Sequence, residues 1–139
     1  MVAQNPQTAT ASLILDTNII VWVLRGHPGA IAFVDGLPLA DRNLSSISHL
    51  ELLRGCRDKP DMQRTLQLIQ DELAEIVPVD EDVTRMAVDL MERYALSRRP
   101  GIPDILIAAT AMARAEMLAT GNVKDFDYIA GLRLKPFLP

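Results

Sequence analysis

The chain reads as an α/β protein in which short strands alternate with helices to build a mostly parallel sheet of four to five short strands. Three observations predict this. Apolar runs too short for helices, Leu13-Ile14-Leu15 and Met117-Leu118-Ala119 among them, each stop at a polar cluster, as buried inner strands do. Between them lie stretches whose apolar residues recur every three or four positions, such as Met62, Leu66, Ile69 and Leu73, the period of a helix with one face on a core. The two kinds of segment also take turns along the chain, the pattern of parallel strands joined by helical crossovers.

In order, the strand at 13–15 runs into Asp16, and 18–25 reads as a short helix closed by Gly26. His27 reads as a surface loop residue, and Ile31, Phe33 and Val34 predict a helix ending near Gly36. A second strand is expected over 43–47. It leads into a helix over 48–55 whose apolar face is Ile47, Leu50 and Leu53, with Glu51 at its edge. Residues 60–76 read as a longer amphipathic helix and 77–79 as a strand, with Asp80 capping a helix that ends near Ser97. From Ile105 to Ala115 only Thr110 and Arg114 break an apolar run, apart from the start at Asp104, so this helix is expected to be nearly enveloped by core. The strand at 117–119 ends in Thr120-Gly-Asn122-Val-Lys124-Asp125, and 133–138 can supply a last edge strand.

Length and composition bound the rest. At 139 residues the chain is most simply one domain with one substantial core, expected over 12–139. Residues 1–11 are polar and small and read as a flexible tail, with neither the cationic start nor the apolar middle of a signal peptide. No apolar stretch reaches the roughly 18 residues needed to span a bilayer. One cysteine cannot form an internal disulfide, so a cytoplasmic location is the expectation. The net charge of −4 argues at first against a nucleic-acid partner. If four of the 18 acids are set aside for a metal, however, the remainder equal the 14 Lys and Arg.

Those four are Asp16, Glu51, Asp104 and Asp125. Each has a bland reading: Asp16 and Asp104 as helix caps or dipole partners, Glu51 as a solvated pair with Arg54. Yet they fall just after a strand, on the helix after a strand, at the start of a buried helix, and after a strand again. In an alternating chain such positions converge on one edge of a parallel sheet. Clustered carboxylates raise one another's pKa unless a cation sits among them. Oxygen-only donors without a paired His or Cys favour a hard ion, Mg²⁺ or Mn²⁺, which can activate water against a phosphodiester. Thr17, Ser48, Thr120 and Asn122 are placed to orient the acids or their waters. Arg54, Arg98, Arg99 and Lys124 are candidate phosphate contacts, with an ordinary solvated turn as the alternative for the Arg98-Arg99 pair.

Four motifs, Leu15-Asp16-Thr17-Asn18, Ser48-x-x-Glu51-Leu-Leu-Arg-Gly55, Pro103-Asp104-x-Leu-Ile-Ala-Ala-Thr-Ala and Thr120-x-Asn122-x-x-Asp125-Phe126, together resemble the signature of PIN-domain nucleases. The resemblance is closest to VapC-type toxins of VapBC toxin–antitoxin pairs. It implies a PIN-like three-layer α/β/α sandwich and a Mg²⁺- or Mn²⁺-dependent endoribonuclease that leaves a 5′-phosphate and a 3′-hydroxyl. In that pattern Asp16, Glu51 and Asp104 take the metal-ligand positions and Asp125 the fourth acid position. Thr120 and Asn122 stand beside Asp125, and Thr17, or more loosely Asn18, accompanies the first acid. Ser48 stands where such toxins often carry Thr. The chain departs from the pattern in Arg98-Arg-Pro-Gly-Ile-Pro before Asp104, and in the lack of a second acid beside Asp104. The resemblance further implies a VapB-type antitoxin whose C-terminal segment covers the site, and a homodimer.

Two other classes compete. A catalytically silent interaction module of the same fold would keep the acids and only bind a partner protein. A phospho-accepting receiver domain would need an aspartate at a third strand, and the only candidate, Asp80, reads as a helix cap.

Overall fold

A computed structural model describes residues 12–139; the expected tail, residues 1–11, lies outside the described residues. Five strands form one sheet: β1 (Leu13–Leu15), β2 (Arg42–Ser45), β3 (Glu75–Val77), β4 (Met117–Thr120) and β5 (Leu134–Pro136). The spatial order is β3-β2-β1-β4-β5 and every pairing is parallel. β1 is therefore central, with the chain's first crossover on one side and its later return on the other. In open α/β sheets such a reversal of strand order is where ligand crevices form, at the carboxyl ends of the strands.

The sheet is covered on both faces, as parallel sheets require. Along β1 the side chains alternate: Leu13 and Leu15 enter one apolar cluster with Ile19, Ile20, Val34 and Phe137, while Ile14 enters the other with Leu90, Ile107 and Leu118. The first layer is built by α1 (Thr17–Leu24), α2 (Pro28–Asp35) and α4 (Lys59–Glu72); the second by α5 (Glu81–Arg98) and α6 (Ile102–Ala113). α3 (Ser46–Arg54) lies at the sheet's carboxyl edge, sending Leu52 into the first cluster and Ile47 against the second. This is the expected three-layer arrangement. The middle of α6 is enveloped as anticipated, with Ile105 and Ile107 through Ala111 buried, but the helix ends at Ala113, and Arg114 and Ala115 are exposed. Its buried Thr110 is satisfied by donating to the Leu106 carbonyl at 2.7 Å.

Several local expectations are corrected. β2 ends at Ser45, not Ile47, because the Ser45 hydroxyl accepts from the Ile47 N–H and caps a helix that begins at Ser46. The buried face of α3 is Ser48 and Leu52, while Leu50 is 62% exposed. α4 stops at Glu72, where Leu73 turns extended and buries itself. The next strand accordingly starts at Glu75 and finishes before Pro78, which has no N–H to give a ladder. Within α4, Thr65 is buried and Leu66 faces outward. His27 is half-buried, not a surface loop residue: its Nδ1 accepts from the Ala30 N–H and caps α2, and its ring lies edge-on to Phe137.

Candidate active site

The site is built at the carboxyl end of β1. Leu15 pairs with Ala119 of β4, so the next residues, Asp16 and Thr120, fall side by side. Asp16 N–H donates to the Ala119 carbonyl at 2.8 Å, and Thr120 Oγ1 donates to Asp16 Oδ2 at 2.7 Å. The other carboxylate oxygen, Oδ1, accepts from Thr17 N–H at 2.8 Å, so Asp16 is also the N-cap of α1. Asp16 therefore caps a helix and at the same time lines a hollow at the carboxyl edge of the sheet. Thr120 is in turn fixed by accepting the Asn122 N–H at 3.0 Å.

α3 brings the second acid. Thr17 Oγ1 is 2.7 Å from both Ser48 Oγ and Glu51 Oε1. A hydroxyl donates one hydrogen, so the consistent chain is Ser48 O–H to Thr17 O–H to the Glu51 carboxylate. Ser48 is fully buried and Glu51 exposed, so a buried hydroxyl sets the direction of a solvent-facing acid. Asp104 lies in the first turn of α6, whose Gly101 cap offers no side chain. The positive end of the helix favours a carboxylate there. Asp125 ends a short 3₁₀ turn, Val123–Asp125, that follows β4.

All four acids line one hollow of about 350 Å³ together with Thr17, Asn18 and Asn122. Desolvation, opposed by the Thr120 and Thr17 hydrogen bonds and aided by Asp104 and Glu51, pushes the Asp16 carboxyl up to about 6. Asp104 is raised by burial and then by the charges of Asp125 and Glu51. Elsewhere on the surface acids such as Glu72, Glu75 and Asp89 are paired with arginines; none of these four is, among the described residues. A cluster of carboxylates without ion-pair partners, with Asp16 buried, Asp104 half-buried and Glu51 and Asp125 exposed, is what a cation site looks like before the cation's charge is counted. In the arrangement observed, no three of the carboxylates among the described residues converge closely enough to cage an ion. Glu51 is turned onto Thr17, and both Asp16 oxygens accept hydrogen bonds. The donor set itself, oxygen only and uncompensated, fits a hard divalent ion held in an open site.

The structure also brings together residues that spacing left apart. Both amide atoms of Asn18 are buried without a hydrogen-bond partner, and its side chain lines the same hollow. Arg98, Arg99 and Lys124 line an adjoining hollow of about 270 Å³ with Asp104 and Asp125. Arg98 stacks on the Tyr128 ring, 4.9 Å from its centroid, and Arg99 holds a left-handed conformation at φ 46° that ends α5. Arg54 is exposed on the last turn of α3 and lines neither hollow. Asp80 caps α5 through the Val83 N–H, as its sequence context predicts, which leaves the receiver reading without its aspartate.

Comparison with known proteins gives the family. The PIN domain family model matches residues 13–132. Ribonuclease VapC10 of Mycobacterium tuberculosis is 33% identical over 129 residues, covering 87% of this chain and 90% of the relative. A tRNA(fMet)-specific endonuclease VapC of Shigella flexneri is 28% identical over 123 residues, covering 86% and 93%. Among solved structures, VapBC2 from Rickettsia felis, bound to a DNA fragment from its promoter, superposes with a TM-score of 0.76 at 29% identity, covering 89% of this chain and 97% of that one. The chain belongs to the PIN-domain family and, within it, to the VapC ribonucleases.

Proposed function

We propose that the protein is a metal-dependent endoribonuclease and the toxin of a type II toxin–antitoxin pair, acting in the cytoplasm. The observation that carries this reading is the cleft lined by Asp16, Glu51, Asp104 and Asp125, none of which makes an ion pair among the described residues. The names of the relatives, ribonucleases and an endonuclease, support the choice of RNA. The VapBC complex among the structural neighbours supports an antitoxin partner; a toxin homodimer is part of the same proposal.

Asp16, Glu51, Asp104 and Asp125 would hold Mg²⁺ or Mn²⁺, which supplies Lewis-acid activation of water and charge neutralisation at the phosphate. The chain's own residues do the placing. Thr120 and the Thr17 N–H keep Asp16 in one rotamer and favour its ionised form. Ser48, through Thr17, aims Glu51. The unpaired Asn18 amide offers a donor and an acceptor to a group bound in the cleft. Arg98, Arg99 and Lys124 take phosphates next to the cut. Hydrolysis forms one P–O bond to water and breaks the P–O3′ bond, with a proton passing to the departing 3′ oxygen. No side chain becomes covalently attached.

The test is cleavage of a mixed RNA pool by the wild type and by Asp16→Asn in Mg²⁺, Mn²⁺ or EDTA. Cutting that needs the ion and disappears in the variant is the expected result. Equal cutting by both proteins would overturn the assignment of the site to Asp16, and no cutting by the wild type under any condition would overturn the nuclease reading and leave the silent interaction module.

A further inference from the structure

We infer that a second arginine-lined hollow, at the Glu51 end of the cleft, carries the RNA strand away from the cutting site through Arg25, Arg57 and Arg64; this rests on the nuclease reading above. The hollow measures about 670 Å³ and shares Val21, Arg25 and Glu51 with the acid-lined cleft, so the two are continuous. The cleft's other end, at Asp104 and Asp125, opens into the Arg98–Arg99–Lys124 hollow. The four acids thus sit between two basic ends.

The three arginines come from separate elements. Arg25 is the C-cap of α1 and makes no ion pair among the described residues. Arg57 precedes the Asp58 cap of α4, and Arg64 lies one turn beyond Asp61. Asp61 organises the latter two: it accepts the Arg57 N–H at 3.2 Å and Arg64 at 2.6 Å, and the Arg57 guanidinium lies 3.9 Å away. The Arg57 backbone N–H and the Arg64 guanidinium hold its carboxyl below the usual range. The two arginine side chains remain 87% and 64% exposed, and a guanidinium carries five N–H donors, more than the contacts to Asp61 use.

Charge selects the occupant. A strand whose scissile phosphate lies among four carboxylates meets repulsion there, and its neighbouring phosphates need cations on both sides. Guanidiniums in a groove that continues from the chemistry recognise phosphate oxygens independently of base sequence. Val21, Leu24 and Leu52 give the hollow an apolar wall against which sugars and bases can lie.

The experiment uses a short single-stranded RNA pool and the full chain. Binding is measured in the Asp16→Asn background across a salt series, and cleavage in the active protein, with and without Arg25→Gln, Arg57→Gln and Arg64→Gln combined. Each phosphate contact on a single strand contributes about 0.7 to the slope of log K against log salt, so the triple variant should flatten it by about 2. KM should rise about tenfold or more while kcat holds, the mark of lost uniform binding. The matching triple Lys variant should recover the slope, and Arg93→Gln, on α5, should change nothing. An unchanged slope and KM in a triple variant that melts like the wild type, while the wild type still cuts RNA, would overturn the groove assignment alone and leave the hollow to a protein partner. A wild type that neither binds nor cuts the pool would overturn both readings.

Discussion

Thr120 and Asp16 stand 104 residues apart in sequence, and their side-chain oxygens are 2.7 Å apart. The bond opposes the burial that drives the Asp16 carboxyl upward. Thr120→Val removes the donor with little change in volume. Cleavage near neutral pH should fall by about 10-fold or more, and the acid limb of the pH–rate profile should move to higher pH. Thr120→Ser should restore both, which a merely structural effect would not do.

Asp16 also weighs on the stability of the metal-free protein. Its folded pKa of about 6 lies above the ordinary 3.8, so its contribution is greatest below pH 4 and is lost as pH rises through 6. At neutral pH the loss amounts to about 3 kcal/mol. In EDTA, Asp16→Asn should therefore melt above the wild type at pH 7.5, and the difference should shrink toward pH 4. Added Mg²⁺ or Mn²⁺ should raise the wild-type Tm more than that of the variant. Thermal melts over a pH series check each part.

Thr17 aims Glu51 and does not itself carry charge. Thr17→Val breaks the Ser48–Thr17–Glu51 chain and leaves the buried Ser48 hydroxyl short of a partner, at a cost of about 1–3 kcal/mol. Cleavage should drop while RNA binding in the salt series holds. Thr17→Ser should behave like the wild type. Equal cleavage by Thr17→Val and the wild type would remove Thr17 from the machinery.

Gly121 gives a prediction from packing. A Cβ there would lie 2.4 Å from Trp22 Cζ3, 2.7 Å from Cη2 and 3.4 Å from the Phe137 carbonyl. The indole is held by Phe137, with ring centroids 5.7 Å apart, so it has little room to yield. Gly121→Ala should destabilise by about 1–3 kcal/mol, seen as a lower denaturation midpoint. Pairing it with Trp22→Leu should recover part of the loss.

The four acids were legible because each follows a junction that local pattern defines: an apolar run ending at Asp16 or before Asp125, a buried helix beginning at Asp104, a strand passing into a helix before Glu51. What local pattern does not carry is which helices touch. The Ser48–Thr17–Glu51 chain exists because α1 lies against α3, and nothing in the spacing of either segment says so. The same holds for Arg25, Arg57 and Arg64, gathered from a helix end, a loop and a helix interior. Arg54, beside the Glu51 motif, drew the expectation through proximity in sequence but lines neither hollow. Ser45 and Pro78 explain the shifted strand ends, one by capping early and the other by withholding an N–H.

The position of β4 next to β1 has a consequence for incomplete chains. Asp16, Glu51 and Asp104 precede residue 117, but the strand that seats Asp16 and supplies Thr120 and Asp125 does not. A chain cut short before β4 would carry three of the acids and still lack the neighbour that orders the first of them. Fragments and prematurely ended products should thus be inert toward RNA, and the full set of groups comes into being only when the chain's two ends have docked.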